Sequence, residues 1–236
     1  MSPKQPLREL YLLDLDGLLI DTEKLHYQAY REMCRHHGGH LPWSFEQYAA
    51  VSQSAQSLEI AILTAVPQLQ RGGLSWYQLY QHKQDIVRSL IARGNIGWMP
   101  GAENLLRWLD THGAVRCVVT NSSQLLVPLL QDQCPLLKTI PKWFTREMYL
   151  ESKPAPDGYL TALRWHGIDP KGALGFEDSL KGMRSLCAAK VEGVWVQEPS
   201  IRPEQKEALK GSVHWSHCST LIGWLEKGDA TKCDQK

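Results

Sequence analysis

From residue 101 to residue 197 the sequence alternates short apolar runs with amphipathic stretches, and that alternation restricts the chain to few folds. AENLLRWLDTHG is spaced as a helix, VRCVVT (115–120) as a strand and SSQLLVPLLQDQ as a helix again. IPKWFT then reads as a short strand, PDGYLTALRWHG as a helix, ALGFEDS (173–179) as a strand, LKGMRSLCAAK as a helix and GVWVQ (193–197) as a strand. Strands joined by helical crossovers pair in parallel, and the helices cover both faces of the sheet. One further strand-like run, Leu10 to Leu13, stands far upstream. Nothing between residues 22 and 95 resembles a buried strand: Leu25, Ala29 and Met33 fall at helical spacing, and SLEIAILTAVPQL and SWYQLYQHKQDIVRSLIARGN continue the helical pattern. The Gly and Pro cluster GNIGWMPGAEN (94–104) marks the return. The expected architecture is α/β: a Rossmann-like parallel-sheet core from residues 1–21 and 97–236, with an inserted α-helical cap domain at 22–96.

Composition narrows the partners. The 236 residues are 43% hydrophobic and 22% charged, ordinary for a folded globular chain. With 26 basic against 25 acidic residues the net charge is +1, so no basic field is available for nucleic acid or an anionic membrane. MSPKQPLREL lacks an apolar signal core, so the expectation is a cytoplasmic monomer whose partners are small molecules, with a polar, frayed tail GDATKCDQK. The cysteines at 34, 117, 134, 187, 218 and 233 show no CxxC and no zinc spacing, and read as reduced thiols; Cys117, inside a strand, reads as core rather than nucleophile.

The run at Leu10 exits into acid. In YLLDLDGLLIDTE, Asp14 and Asp16 lie two apart on a strand expected to end near Asp16, so they share a face at the carboxyl end, where open α/β sheets place ligands. Two carboxylates about 4 Å apart repel by roughly 4 kcal/mol at an effective dielectric of 20, which a divalent cation would offset. Hard cations such as Mg²⁺ take oxygen ligands and are often shared with substrate phosphate. A solvated Asp-Gly turn is the alternative.

Three other segments carry polar signatures at strand ends. Thr120, Asn121, Ser122 and Ser123 supply hydroxyl and backbone donors suited to phosphate oxygens, or a plain helix cap. In SKPAPDGY, two prolines restrict the backbone beside Lys153, which could neutralise phosphate and carboxylate charge or stand solvated at the surface. Glu177 and Asp178 follow an apolar strand directly, where buried acids are costly unless paired or metal-bound.

DLDGLLIDTE, VVTNSS, SKPAPD and GFEDSLKG, in this order, resemble the four motifs of the haloacid dehalogenase superfamily of phosphohydrolases. The helical insertion directly after the first motif, and PGAENLLRWL at 100–109, are similar to the β-phosphoglucomutase-like phosphatases. The resemblance implies that Asp14 is a nucleophile forming an aspartyl phosphate. Asp16 would be the general acid and then base, with a pKa raised for that role, and its main-chain carbonyl would join Asp14 and Asp178 on Mg²⁺. Glu177 would reach the metal through water. Thr120, Asn121 and Lys153 would bind the phosphoryl oxygens, Asp21 would serve as a hinge or support, and His26 matches a histidine of the sugar-phosphate members. As a surface helix residue, His26 has an ordinary reading too.

The resemblance thins in the insertion. Val51, Ser52, Gln53 and Ser54 stand where the mutase has an arginine that grips a second phosphate, so simple hydrolysis of a small sugar or polyol phosphate is expected over a mutase reaction. Lys83 or Arg88 could replace that charge. A catalytically idle binding protein of the same fold is the remaining alternative, and the retained acids speak against it. Of the nine tryptophans, Trp43, Trp76 and Trp98 are candidates for a ligand platform, though such residues are more often core.

Overall fold

The computed structural model describes residues 8–54, 57–94, 96–196, 213–215, 222–223 and 225. The chain divides into two compact units, Met1–Asp21 with Gly97–Lys236, and Thr22–Ile96. Strand β1 (Leu10–Leu13) opens the first unit and is fully buried, as a central strand covered on both faces must be.

The second unit is helical: α1 (Glu23–His36), α2 (Phe45–Ser54), α3 (Leu58–Ala65), α4 (Gln68–Arg71) and α5 (Trp76–Ala92), with no strand among its described residues. Its own core gathers Tyr30, Met33, Cys34, Tyr48, Ile62, Val66 and Leu79, against which Trp43 and Trp76 pack, so these two tryptophans are structural. Ser75 and Gln78 form a reciprocal capping box at the start of α5, satisfying backbone N–H groups that helix geometry leaves open.

Back in the first unit, α6 (Ala102–Thr111) leads to β2 (Arg116–Val119), and α7 (Val127–Gln133) to β3 (Lys142–Phe144). Helix α8 (Asp157–His166) leads to β4 (Ala173–Glu177), and α9 (Leu180–Ala188) to β5 (Glu192–Val196), with β6 (Val213–Trp215) at the far edge. All six strands pair in parallel, in the order β3-β2-β1-β4-β5-β6. On one sheet face Leu10, Leu12, Cys117 and Val119 alternate with period two and pack with Tyr159, Ala162 and Leu163 of α8 and Met183 and Leu186 of α9.

Strands β1 to β4 are shorter than their sequence patterns, and β5 begins one residue earlier, at Glu192. β1 ends at Leu13, not near Asp16, because Gly17 takes a left-handed φ of +87° and Leu19 and Ile20 both turn back to donate to the Leu15 carbonyl. β2 stops at Val119, and a short 3₁₀ turn at Gln124–Leu126 precedes α7 where one helix was expected. Strand β6 had no counterpart in the sequence pattern. Gln197 and the tail at 228–236 lie outside the described residues, as do Cys218 and Cys233. The four described cysteines are unpaired; Cys117 is fully buried, and burial drives its thiol far above the ordinary range, which suits core and not nucleophile.

Connectivity reverses direction at β1: β2 and β3 lie to one side of it, β4 and β5 to the other. The carboxyl end of β1 is therefore the switch point where such sheets open a crevice.

Candidate active site

Four segments converge at that end of the sheet. Asp14 leaves β1 still tied to it, its N–H donating to the Phe176 carbonyl at 3.1 Å. Gly17 then brings the loop against β4: a Cβ at this position would lie 2.1 Å from Asp178 Oδ2, so both the φ and the close approach require glycine.

Lys153 is buried, and its ammonium donates to Asp14 Oδ1 at 2.5 Å, to Glu177 Oε1 at 2.6 Å and to the Val119 carbonyl at 2.8 Å. Those three bonds use all three of its N–H groups. Burial alone would lower the Lys153 pKa, but the charges of Asp14 and Glu177 outweigh it and hold the amine protonated. Asp14 is raised to about 7, chiefly by burial and then by the Glu177 charge, with Lys153 opposing and Asp16 adding to the rise.

Thr120, fully buried at the end of β2, donates to Asp16 Oδ2 at 3.1 Å, and Ser122 donates to the same oxygen at 2.6 Å. Asn121 Oδ1 accepts from the Lys153 backbone N–H at 3.2 Å. Glu177 has no exposed surface: Lys153 and the Tyr159 hydroxyl donate to its Oε1, and Ser179 donates to Oε2 at 3.3 Å. Gly182 of α9 lies under this carboxylate, where a Cβ would come within 1.9 Å of Glu177 Cδ. Trp195 of β5 donates to the Asp178 carbonyl at 2.8 Å.

Asp14, Glu177 and Asp178 each bring a carboxylate oxygen to within 4.8 Å of the others. Fully ionised, these three acids with Asp16 would outnumber the ammonium of Lys153 in their midst; the raised Asp14 pKa reflects burial first and the neighbouring carboxylate charges second. An all-oxygen donor set of this kind suits a hard divalent cation.

The structure thus brings Asp14, Asp16, Thr120, Asn121, Lys153, Glu177 and Asp178 into one network in the first unit. Asp21 lies at the junction with the insertion, its N–H donating to the Gly97 carbonyl at 3.0 Å. His26 belongs to the other unit. There the Lys83 ammonium, buried at 3% exposure, donates to His26 Nδ1 at 2.7 Å and lies 4.8 Å from the centre of the Tyr30 ring. Ser52 donates to Glu23 at 3.1 Å in the same unit. Ser122, read from the sequence as a phosphate donor or a helix cap, instead donates to Asp16, and sequence reasoning did not single out Tyr149, Tyr159 or Gly182. The two tyrosines occupy spacings indistinguishable from core, and the one available signal was glycine within the fourth motif.

A profile described as haloacid dehalogenase-like hydrolase matches residues 11–196. Protein CbbY of Cereibacter sphaeroides is 30% identical over 185 residues, 77% of this chain and 80% of its own. Fructose-1-phosphate phosphatase YqaB of Escherichia coli (strain K12) is 26% identical over 187 residues, 79% of this chain and 95% of its own. A crystal structure of CbbY from Rhodobacter sphaeroides in complex with phosphate is similar with a TM-score of 0.76 at 25% identity, over 93% of this chain and 99% of that one. No described helix is long and apolar enough to cross a membrane. With its family profile covering most of the chain and a relative 30% identical over most of both chains, the protein belongs to the haloacid dehalogenase-like hydrolases.

Proposed function

We propose that this hydrolase is a Mg²⁺-dependent phosphatase acting on a small sugar or polyol phosphate through an aspartyl phosphate on Asp14. The observation that carries this reading is Lys153: one buried ammonium ties the carboxylates from the ends of β1 and β4 to the last carbonyl of β2. By cancelling part of the charge on Asp14, it lets an anionic phosphate approach a carboxylate nucleophile.

In the first step Asp14 attacks phosphorus in line, the bond from phosphorus to the leaving oxygen breaks, and Asp16 delivers a proton to that oxygen. In the second, Asp16 takes a proton from water, the water oxygen attacks phosphorus, and inorganic phosphate leaves with the Asp14 carboxylate restored. The hydroxyls of Thr120 and Ser122 on one Asp16 oxygen hold that side chain in a single orientation for both transfers. Asn121 steadies the phosphoryl oxygens, joined by Thr120 and Lys153 as each exchanges one present hydrogen bond for a phosphoryl oxygen. Asp14, Asp178 and the Asp16 carbonyl are the residues that would hold Mg²⁺. Glu177, whose oxygens are engaged by Lys153, Tyr159 and Ser179, would act through a water. When bound, the cation supplies positive charge to the nucleophile and the transferring group.

In this reading His26, 2.7 Å from the Lys83 ammonium, is the residue of the insertion that would contact substrate. The insertion would be the cap that selects the metabolite, in a monomeric cytoplasmic protein. The lack of arginine at 51–54 and the sugar-phosphate substrate in the name of YqaB both support hydrolysis over mutase chemistry.

The test is phosphate release from a panel of phosphorylated metabolites with and without Mg²⁺, with Asp14→Asn as the blank. Metal-dependent release absent from the folded variant is expected. Release that persists in Asp14→Asn would remove Asp14 as nucleophile.

A further inference from the structure

Tyr149, in the segment between β3 and α8, lies outside every motif read from the sequence. Its hydroxyl sits 2.6 Å from the Thr120 carbonyl oxygen and 3.0 Å from Asn121 Oδ1. Both are acceptors, so the one phenolic proton is shared between them in a three-centre bond. The ring is 8% exposed, and burial raises the phenol pKa, so that proton stays in place at neutral pH.

The same Asn121 oxygen also accepts from the Lys153 backbone N–H at 3.2 Å. A backbone N–H can only donate, which settles which end of the amide is oxygen. Both anchors fall on Oδ1. Asn121 Nδ2 therefore keeps two N–H donors with no protein partner among the described residues, at the strand end where Thr120 and Lys153 converge.

The ring is itself held in place. Gly158 is the second residue of α8, a position glycine does not favour, yet a Cβ there would lie 2.9 Å from Val119 Cγ1 and 3.2 Å from Tyr149 Cε1. A side chain there would collide with Val119 and crowd the tyrosine ring. From the same segment the Arg146 guanidinium packs 5.6 Å from the ring centre and donates to the Tyr149 carbonyl at 2.8 Å.

We infer that Tyr149 is a positioning residue for phosphate binding, its hydroxyl locking the Asn121 amide so that Nδ2 faces the phosphoryl oxygens. The inference rests on the phosphatase reading above. Nδ2 is then a side-chain donor to substrate, and the absence of a side chain at Gly158 leaves room for Val119 and the Tyr149 ring behind it.

The experiment is a double-mutant cycle of Tyr149→Phe and Asn121→Ala, the first keeping the ring and removing only the hydroxyl. It reads the inhibition constant of inorganic phosphate, its binding by calorimetry in Mg²⁺, and KM and kcat on the best substrate of the panel. Tyr149→Phe is expected to weaken phosphate binding about 3- to 10-fold, the loss of one hydrogen bond, and to add nothing once Asn121 is Ala. Asn121→Asp, which replaces donors by acceptors, is expected to bind phosphate more weakly than Asn121→Ala. Additive losses, an unchanged Tyr149→Phe, or Asn121→Asp binding as well as Asn121→Ala would overturn the assignment alone. A wild-type protein that neither binds nor releases phosphate would overturn the phosphatase reading together with it.

Discussion

Lys153 and Asp14 have opposite relations to the fold. The ammonium has a partner for each N–H, whereas Asp14 is an acid whose burial and neighbouring Glu177 push it up to about 7. An acid with a raised folded pKa binds its proton more tightly in the native state. Between the unfolded value near 4 and about 7, the unfolded chain therefore holds fewer protons and stability falls as pH rises. In chelator, Asp14→Asn is expected to be more stable than wild type by a margin that grows across this window and is flat above it. Thermal or urea unfolding of both proteins at several pH values checks this, and parallel curves would contradict it. Lys153→Met leaves Asp14 and Glu177 buried without their cation, so a loss of about 3–5 kcal/mol is expected above the window. The loss should shrink at low pH, where Asp14 carries a proton, and phosphate release should vanish throughout. Asp14, Asp16, Lys153, Glu177 and Asp178 were legible because acids and a proline-flanked lysine at strand ends are anomalous. Tyr149 and Tyr159 were not, and Ser122 was read as a phosphate donor or cap without its bond to Asp16, because which partner a hydroxyl reaches depends on packing that no local pattern encodes.

At the scale of elements, α9 decides how β4 ends. Ser179 caps it by accepting from the Gly182 N–H at 3.1 Å, and the absent side chain of Gly182 leaves room for the Glu177 carboxylate. Helix propensity alone predicts that Gly182→Ala stabilises by about 1 kcal/mol. The Cβ would instead fall 1.9 Å from a carboxylate that Lys153, Tyr159 and Ser179 hold in place, so destabilisation by roughly 1–3 kcal/mol is expected. The displaced network should also lower turnover by about 100-fold. Unfolding and steady-state rates of the variant test both, and a stabilised, active Gly182→Ala would show Glu177 free to move. Long helices with clear periodicity, such as α1, α5 and α8, were readable in the sequence, as were the five strands β1 to β5. Their ends were not, since β1 is cut short by a glycine turn that its apolar letters do not announce. β6, three residues long like β3, sets His214 between Val213 and Trp215 in a polar stretch and was not read as a strand.

For the molecule as a whole, the question is which unit holds the chemistry and which could be removed. Every acid of the candidate centre, with Thr120 and Lys153, belongs to the first unit, whose sheet is buried by its own helices. The chain leaves and re-enters that unit at adjacent points: Asp21 N–H donates to the Gly97 carbonyl at 3.0 Å, Met99 N–H donates to the Leu19 carbonyl at 2.9 Å, and Ile20 bridges Trp98. Closing so small a gap needs only a short linker, and shortening a loop costs little configurational entropy. A chain with residues 22–96 replaced by a short Gly-Ser linker is therefore expected to unfold cooperatively and to gain melting temperature on addition of Mg²⁺. If the insertion acts as the cap, its loss removes both the His26 and Lys83 pair and the exclusion of water from the intermediate. Turnover of the best sugar phosphate should then fall far more than turnover of a small activated aryl phosphate, which relies on its leaving group. Melting with and without Mg²⁺, beside the two turnover numbers, separates the outcomes. A metal-stabilised fragment that discriminates between substrates as well as the full chain would place specificity in the first unit, and one that never folds would mean the sheet needs the insertion to stand.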